Sequence, residues 1–295
     1  ILAHVAPYGV IQVSDRLLTE HGTARQFDAH SNKALLYLCT DAIVAIGYTG
    51  IAYIGDSPAD VWIANQLVGT PLQEHQTFGK PMRVERRNIV SAAEMLRTQL
   101  EAEIRRARMQ QFEVLLAGWK WTRRRKLKRP EPFVALLYWA GDRMITKTLP
   151  RYWWYERGRD EVLIPIPASN MGYARAEQVM KSVTQCADDV SMRNVLVETV
   201  RSMSTENATV GADCMSIMLP PPQLCRAEIE FIVGSSDSPY GEVYSPWVIT
   251  PGYVHKPSIL FGGWEIHDGP WTIYLKDVVR GFAAWAKQPR PRRPR

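Results

Sequence analysis

Ala34-Leu35-Leu36-Tyr37-Leu38-Cys39-Thr40-Asp41-Ala42-Ile43-Val44-Ala45-Ile46-Gly47-Tyr48 reads as two apolar β-type runs joined at a Thr40-Asp41 turn. A sheet with one wet face alternates apolar and polar residues. Neither run does, so both faces of this hairpin are expected to be covered by other elements. The apolar window extends over residues 34–55 and is long enough for a membrane span. Asp41 argues against one, since a carboxylate near a bilayer centre costs roughly 2.5–3.5 kcal/mol. The stretch is read as a buried hairpin.

Working outward, residues 2–5 and 10–13 form an earlier hairpin around Pro7-Tyr8-Gly9, a favourable turn. Downstream, Ser57-Pro58 opens a helix carrying Val61, Trp62, Ala64 and Leu67 at helical spacing. A loop over 70–88 leads to a second helix that Ser91 caps, with Glu94 completing a capping box. Ala92, Met95, Leu96, Leu100 and Ile104 line one face of it. Strands follow at 113–121, 133–139, 152–155 and 162–166, helices at 174–186 and 192–203, and strands at 214–219 and 228–233. Strands grouped between helix pairs, with no single alternation of strand and helix, exclude a doubly wound parallel sheet. They predict an α+β chain built as a four-layer αββα sandwich, two mainly antiparallel sheets between helix pairs. Residues 1–233 would form this domain. Residues 234–295 would be an aromatic- and Pro-rich extension with a short helix at 275–285 and a basic disordered tail.

The chain has 295 residues, 36 Lys and Arg against 30 Asp and Glu, and a net charge of +6. Twelve of the cations sit in two acid-free windows: Lys120, Arg123, Arg124, Arg125, Lys126, Lys128 and Arg129, then Lys287, Arg290, Arg292, Arg293 and Arg295. The remaining body is mildly acidic. Two basic appendages fit a solvated hairpin tip and tail better than a nucleic-acid-binding face, which spreads its cations over a folded surface. The four cysteines, at 39, 186, 214 and 225, form no CxxC pair, and no histidine stands at zinc-finger spacing. Reduced thiols, a cytoplasmic location and no metal are the expectation. Ile1-Leu2-Ala3-His4 does not read as a secretory signal.

No Walker, Rossmann, G-x-S-x-G or H-E-x-x-H pattern is present, so no cofactor is expected. The distinctive run is Gly9-Val10-Ile11-Gln12-Val13-Ser14-Asp15-Arg16-Leu17-Leu18-Thr19, an apolar strand ending in Ser-Asp-Arg. Lys33 heads the next strand, and Tyr48-Thr49-Gly50 ends the hairpin. In these residues the chain resembles the proteasome β-type family of N-terminal nucleophile (Ntn) hydrolases, in particular a bacterial proteasome-like member. The resemblance implies a threonine protease or amidohydrolase that acts on a peptide or small amide substrate by acyl transfer, and it implies a homo-oligomer. It matches Asp15 to the family aspartate, Lys33 to the catalytic lysine and Gly50 to the oxyanion-hole glycine. Ser169 matches the serine near the nucleophile's amine. Glu206, Asn207 and Asp213 compete for the second acidic position, with Asp213 preferred. The nucleophilic threonine is expected two residues before Ile1.

The chemistry suits such a set. A threonine hydroxyl needs a neighbouring base, and a chain-terminal amine with a pKa of about 8 can serve. A lysine ammonium favours the neutral amine and the alkoxide. A backbone N–H steadies the tetrahedral oxyanion. Two other classes stay open: a non-catalytic protein of the same fold, and a binder of nucleic acid or an anionic surface through residues 120–129 and the tail. Each residue also has a plainer reading. Asp15-Arg16 could be a surface ion pair, Ser169 a helix cap, and Tyr152-Trp153-Trp154-Tyr155 a core or interface strand. Cys214, inside an apolar strand, reads as core.

Overall fold

The chain opens with strands β1 (Leu2–Ala6), β2 (Gly9–Asp15), β3 (Leu18–Thr19), β4 (Gln26–Asp28), β5 (Ala34–Leu38), β6 (Ala42–Thr49), β7 (Tyr53–Ile54) and β8 (Ser57–Pro58). Helices α1 (Ala59–Val68) and α2 (Ile89–Ala107) follow, then β9 (Glu113–Arg124), β10 (Leu127–Ala140), β11 (Arg143–Thr148), β12 (Tyr155–Arg157) and β13 (Glu161–Pro165). After α3 (Tyr173–Val183) and α4 (Asp189–Glu206) come β14 (Cys214–Leu219), β15 (Arg226–Ile232), β16 (Val243–Tyr244), β17 (Val248–Thr250), β18 (Tyr253–His255), β19 (Ile259–Leu260) and β20 (Trp271–Tyr274). The computed structural model describes residues 1–19, 26–28, 31–69, 84–107, 112–124, 127–148, 155–157, 161–167, 171–220, 226–232, 243–244, 246–250, 253–255, 259–260 and 271–274.

Two seven-stranded sheets dominate. One runs β12-β13-β1-β2-β14-β15-β20, and the other β11-β10-β9-β6-β5-β17-β18. The pairings are antiparallel except β17 beside β5, which is parallel. The sheets pack face to face. Ala3, Val5, Val10 and Ile217 of the first meet Leu36, Ile43, Ala45 and Leu115 of the second. Helices α1 and α2 bury Ile63, Leu67, Leu96 and Leu100 against the outer side of the second sheet. Helices α3 and α4 bury Met180, Leu196 and Val197 against the first. The hairpin of residues 34–48 is buried on both faces as its apolar pattern demands: Leu35 and Tyr37 look toward the helices, Leu36 and Ile43 toward the other sheet.

The expected clean αββα four-layer sandwich is not what forms. Among the described residues there are only four helices, while strands fill most of the rest, including three separate two-stranded ribbons. The mismatch is one of width. Seven strands at about 4.8 Å spacing make a sheet about 29 Å wide. Two helices side by side, each about 10 Å across, cover about 20 Å of it. Strands β11, β12, β17, β18 and β20 widen the sheets at their edges, and of these β11, β12 and β17 still pack against α2, α3 and α1.

Several local readings also change. Pro58, not Ser57, stands at the N-cap of α1. Asn88 does the capping expected of Ser91: its Oδ1 accepts the Ser91 N–H at 2.8 Å. Glu94 binds Arg97 instead of closing a capping box. The hairpin of β9 and β10 reaches much further than expected, pairing as far as Arg124 with Leu127. Strand β11, unanticipated, returns along β10. The helix expected at 275–285 and residues 152–154 lie outside the described residues. Strands β17 and β20, from the segment read as an extension, belong one to each large sheet.

Candidate active site

Strand β2 runs between β1 and β14, with Leu2 opposite Val13 on one side and Cys214 opposite Asp15 on the other. Its last residue, Asp15, therefore ends a central strand, while Lys33 immediately precedes β5 of the facing sheet. Lys33 Nζ donates to Asp15 Oδ2 at 2.6 Å, and the two residues are 8% and 5% exposed. The Gly211 N–H donates to the same oxygen at 3.3 Å. Burial alone would raise the Asp15 pKa. The Lys33 ammonium, the Ile1 amine and the two hydrogen bonds outweigh burial and hold the carboxyl below its ordinary value.

The backbone around Lys33 is fixed from two directions. Its carbonyl accepts the Tyr48 N–H at 3.0 Å, and Tyr48 Oη donates to the Asn32 carbonyl at 2.8 Å. A buried ion pair repays its desolvation only with good geometry and added hydrogen bonds, and this one has both. At the head of β1, the Ile1 amine donates to the Ile166 carbonyl at 2.9 Å. Burial pushes that amine below its usual pKa. Asp15 works against the shift and Lys33 adds to it, so the three groups share one electrostatic neighbourhood. Gly47 admits Ile1 and Gln12 at close range: a Cβ there would stand 2.6 Å from Gln12 Nε2 and 3.0 Å from Ile1 Cδ1.

Of the residues expected from the sequence, Asp15 and Lys33 are thus brought together beside Ile1. Gly50 ends β6 in the left-handed region, φ 107°, and is exposed. Asp213 is half-buried just before β14, and its carbonyl accepts the N–H of Arg16, the neighbour of Asp15. Glu206 instead binds Arg175 between α3 and α4, and Asn207 Oδ1 accepts from the N–H and hydroxyl of Thr209. Ser169 lies outside the described residues. Cys214 faces the core, and burial pushes its thiol up to about 12, leaving it protonated and inert.

Three polar residues at this end of the sheets were given no role from the sequence. Gln12 and Ser14 are buried in β2, and among the described residues neither amide atom of Gln12 nor the Ser14 hydroxyl has a hydrogen-bond partner. Glu113 begins β9 opposite Thr49. Burial pushes its carboxyl above the ordinary range, and the Ile1 amine partly opposes that. Nothing in the composition distinguishes these residues from ordinary strand polar groups. The strand register is what reveals them.

Among the described residues no group of His, Cys, Asp and Glu is arranged to hold a metal ion, and no helix is long and apolar enough to cross a membrane. What the site can do is hold an ammonium, oriented by a carboxylate, next to the head of β1. Such a charge lowers the pKa of a hydroxyl or amine placed beside it.

No family model matches the chain, and no curated protein matches it. Solved structures similar to it include Anbu (ancestral beta-subunit) from Yersinia bercovieri, at 13% identity and TM-score 0.47, covering 99% of this chain and 98% of that one. Anbu from Hyphomicrobium sp. strain MC1 is similar at 11% identity and TM-score 0.44, covering 99% and 100%. The Gly-1 mutant of that Anbu is similar at 10% identity and TM-score 0.46, covering 99% of each chain. Likeness at this level shows neither family membership nor activity. The assignment to the proteasome β-type family as a bacterial proteasome-like member is accordingly corrected. Short motifs such as Ser14-Asp15-Arg16 and a strand-leading lysine recur too easily to define a family without matching sequence elsewhere.

Proposed function

We propose that the Asp15–Lys33 site hydrolyses amide bonds by acyl transfer to a threonine carried on the line of β1 just ahead of Ile1, with peptides or small amides as substrates. The observation that carries this reading is the buried Lys33–Asp15 pair at the head of β1. The register is consistent with it: Leu2 pairs with Val13, two residues from Asp15, so the start of β1 lies beside the Asp15 end of β2. In the reaction the threonine oxygen attacks the amide carbonyl and its proton passes to the chain's α-amine. The amide N–H of Gly50 is assigned to the resulting oxyanion. The C–N bond then breaks, the leaving amine takes the proton, and water hydrolyses the ester so formed. Lys33 stabilises the alkoxide and keeps the α-amine neutral, while Asp15 holds Lys33 in place.

The experiment is steady-state hydrolysis of fluorogenic peptide amides by the protein with its natural start, its first residue verified by mass spectrometry. Charge stabilisation of this kind contributes roughly 10²–10³ in kcat. K33R, which keeps the charge but misplaces it, is expected to lower kcat by at least about tenfold with little change in KM. Equal turnover by K33R, or hydrolysis unaffected by K33M, overturns the proposal. A second reading, contact with a polyanion, draws on the seven cations of residues 120–129 at the end of the long β9–β10 ladder. It requires binding that weakens steeply with salt.

A further inference from the structure

Glu113 is an acidic side chain at this end of the sheets that the proposed chemistry leaves unused. Its strand direction is set by Leu115, two residues on, which packs between the sheets; Glu113 shares that face of β9. On β6 its neighbours are Thr49, directly opposite, and Gly47, opposite Leu115. Gly47 is the glycine against which Ile1 rests. Glu113 is half-buried, and its Oε2 is enclosed without a hydrogen bond among the described residues. Across the same space β2 presents Gln12 and Ser14, with their amide and hydroxyl equally unpartnered there.

Unpaired buried polar groups are costly, so a set of three on facing strands calls for a ligand or water. The positive charge that acts on Glu113 is the Ile1 ammonium. On the proposed function, Ile1 is joined to a preceding residue and its nitrogen is an uncharged amide. Nothing then offsets the burial that raises the Glu113 carboxyl pKa, and an incoming cation would restore the offset and favour its ionised form. We propose that Glu113, backed by Gln12 Oε1 and Ser14 Oγ, receives a basic side chain of the substrate on the acyl side of the cleaved bond. Arginine is preferred to lysine. A guanidinium offers five N–H donors in a fixed fork, matched to a carboxylate and two further acceptors, whereas an ammonium offers three. The inference rests on the proposed function for its substrate, but its binding arm can be read without turnover.

The test uses the full chain with its natural start and two readouts. The first is kcat/KM for peptide amides with Arg, Lys, Leu or Glu in the acyl position. The expected order is Arg, then Lys, with Leu at least about tenfold lower and Glu lowest. E113Q should cut the Arg-to-Leu ratio by about tenfold or more, and E113K should reverse the order of Arg and Glu. An equal loss on every peptide, or an unchanged ratio, overturns the inference and marks Glu113 as structural. The second readout is calorimetric binding of arginine amide against norleucine amide. Selective arginine binding lost in E113Q supports the inference even where no peptide is cut, a result that sinks only the hydrolase reading. Absence of selective binding together with absence of selective hydrolysis overturns it. E113D, which keeps the charge and shortens the reach, supplies the same contrast if E113Q does not fold.

Discussion

Asp15 stood out as a carboxylate ending a largely apolar strand and Lys33 as the lysine leading the next, although Asp15-Arg16 also suited a surface ion pair. Their meeting across two sheets was not legible, since it depends on how the sheets stack. Glu113 was invisible for the opposite reason: a glutamate that begins a strand is ordinary until register turns it inward. The buried pair sets a pH dependence. Asp15 titrates below its unfolded value, so the native state binds fewer protons than the unfolded chain through the acid range. Its contribution to stability is complete above the unfolded pKa of about 3.9 and drains away as pH falls through the folded value. In D15N that part of the acid limb should vanish from a plot of unfolding free energy against pH. A wild-type slope below about pH 4 in D15N would show that the pair does not carry it.

At the scale of elements, the hairpin of β5 and β6 was the surest reading, because unbroken apolar runs leave no exposed face. Helix starts were less legible. Asn88 and Ser91 both suit an N-cap, and only the backbone decides between them. N88A should cost about 1 kcal/mol in chemical unfolding, a typical loss for a cap. S91A should stay within about 0.5 kcal/mol, as for an exposed position without such a role. The reverse order would return the cap to Ser91. The ladder of β9 with β10 continues past Lys120, where pairing with β6 ends, into a sequence of cations and prolines that reads as loop. Strand propensity there is poor, and cross-strand pairing overrides it.

For the whole molecule, the sequence order conveyed two sheets and two helix pairs but not sheet width, because the added edge strands are only three to six residues long. Short strands carry too few alternations to be read. Trp247 ties the late strands to the body: it is 2% exposed, its Nε1 donates to Asp60 of α1 at 3.2 Å, and its carbonyl accepts the Leu36 N–H at 2.9 Å. W247A should destabilise the fold by about 3–5 kcal/mol, the range for truncating a buried aromatic. A chain cut at residue 233 should melt at a lower temperature than the full chain. An unchanged melting temperature in both would make β17 and β20 dispensable to the sheets. The account's central claim is a nucleophile at the head of β1 served by Lys33 and Asp15. Its most direct test is the intact mass of the naturally started protein after exposure to a β-lactone, which acylates an activated hydroxyl. The expected result is a single adduct mapping to the first residue and greatly slowed in K33R. An unmodified mass, or an adduct mapping elsewhere, would contradict the claim.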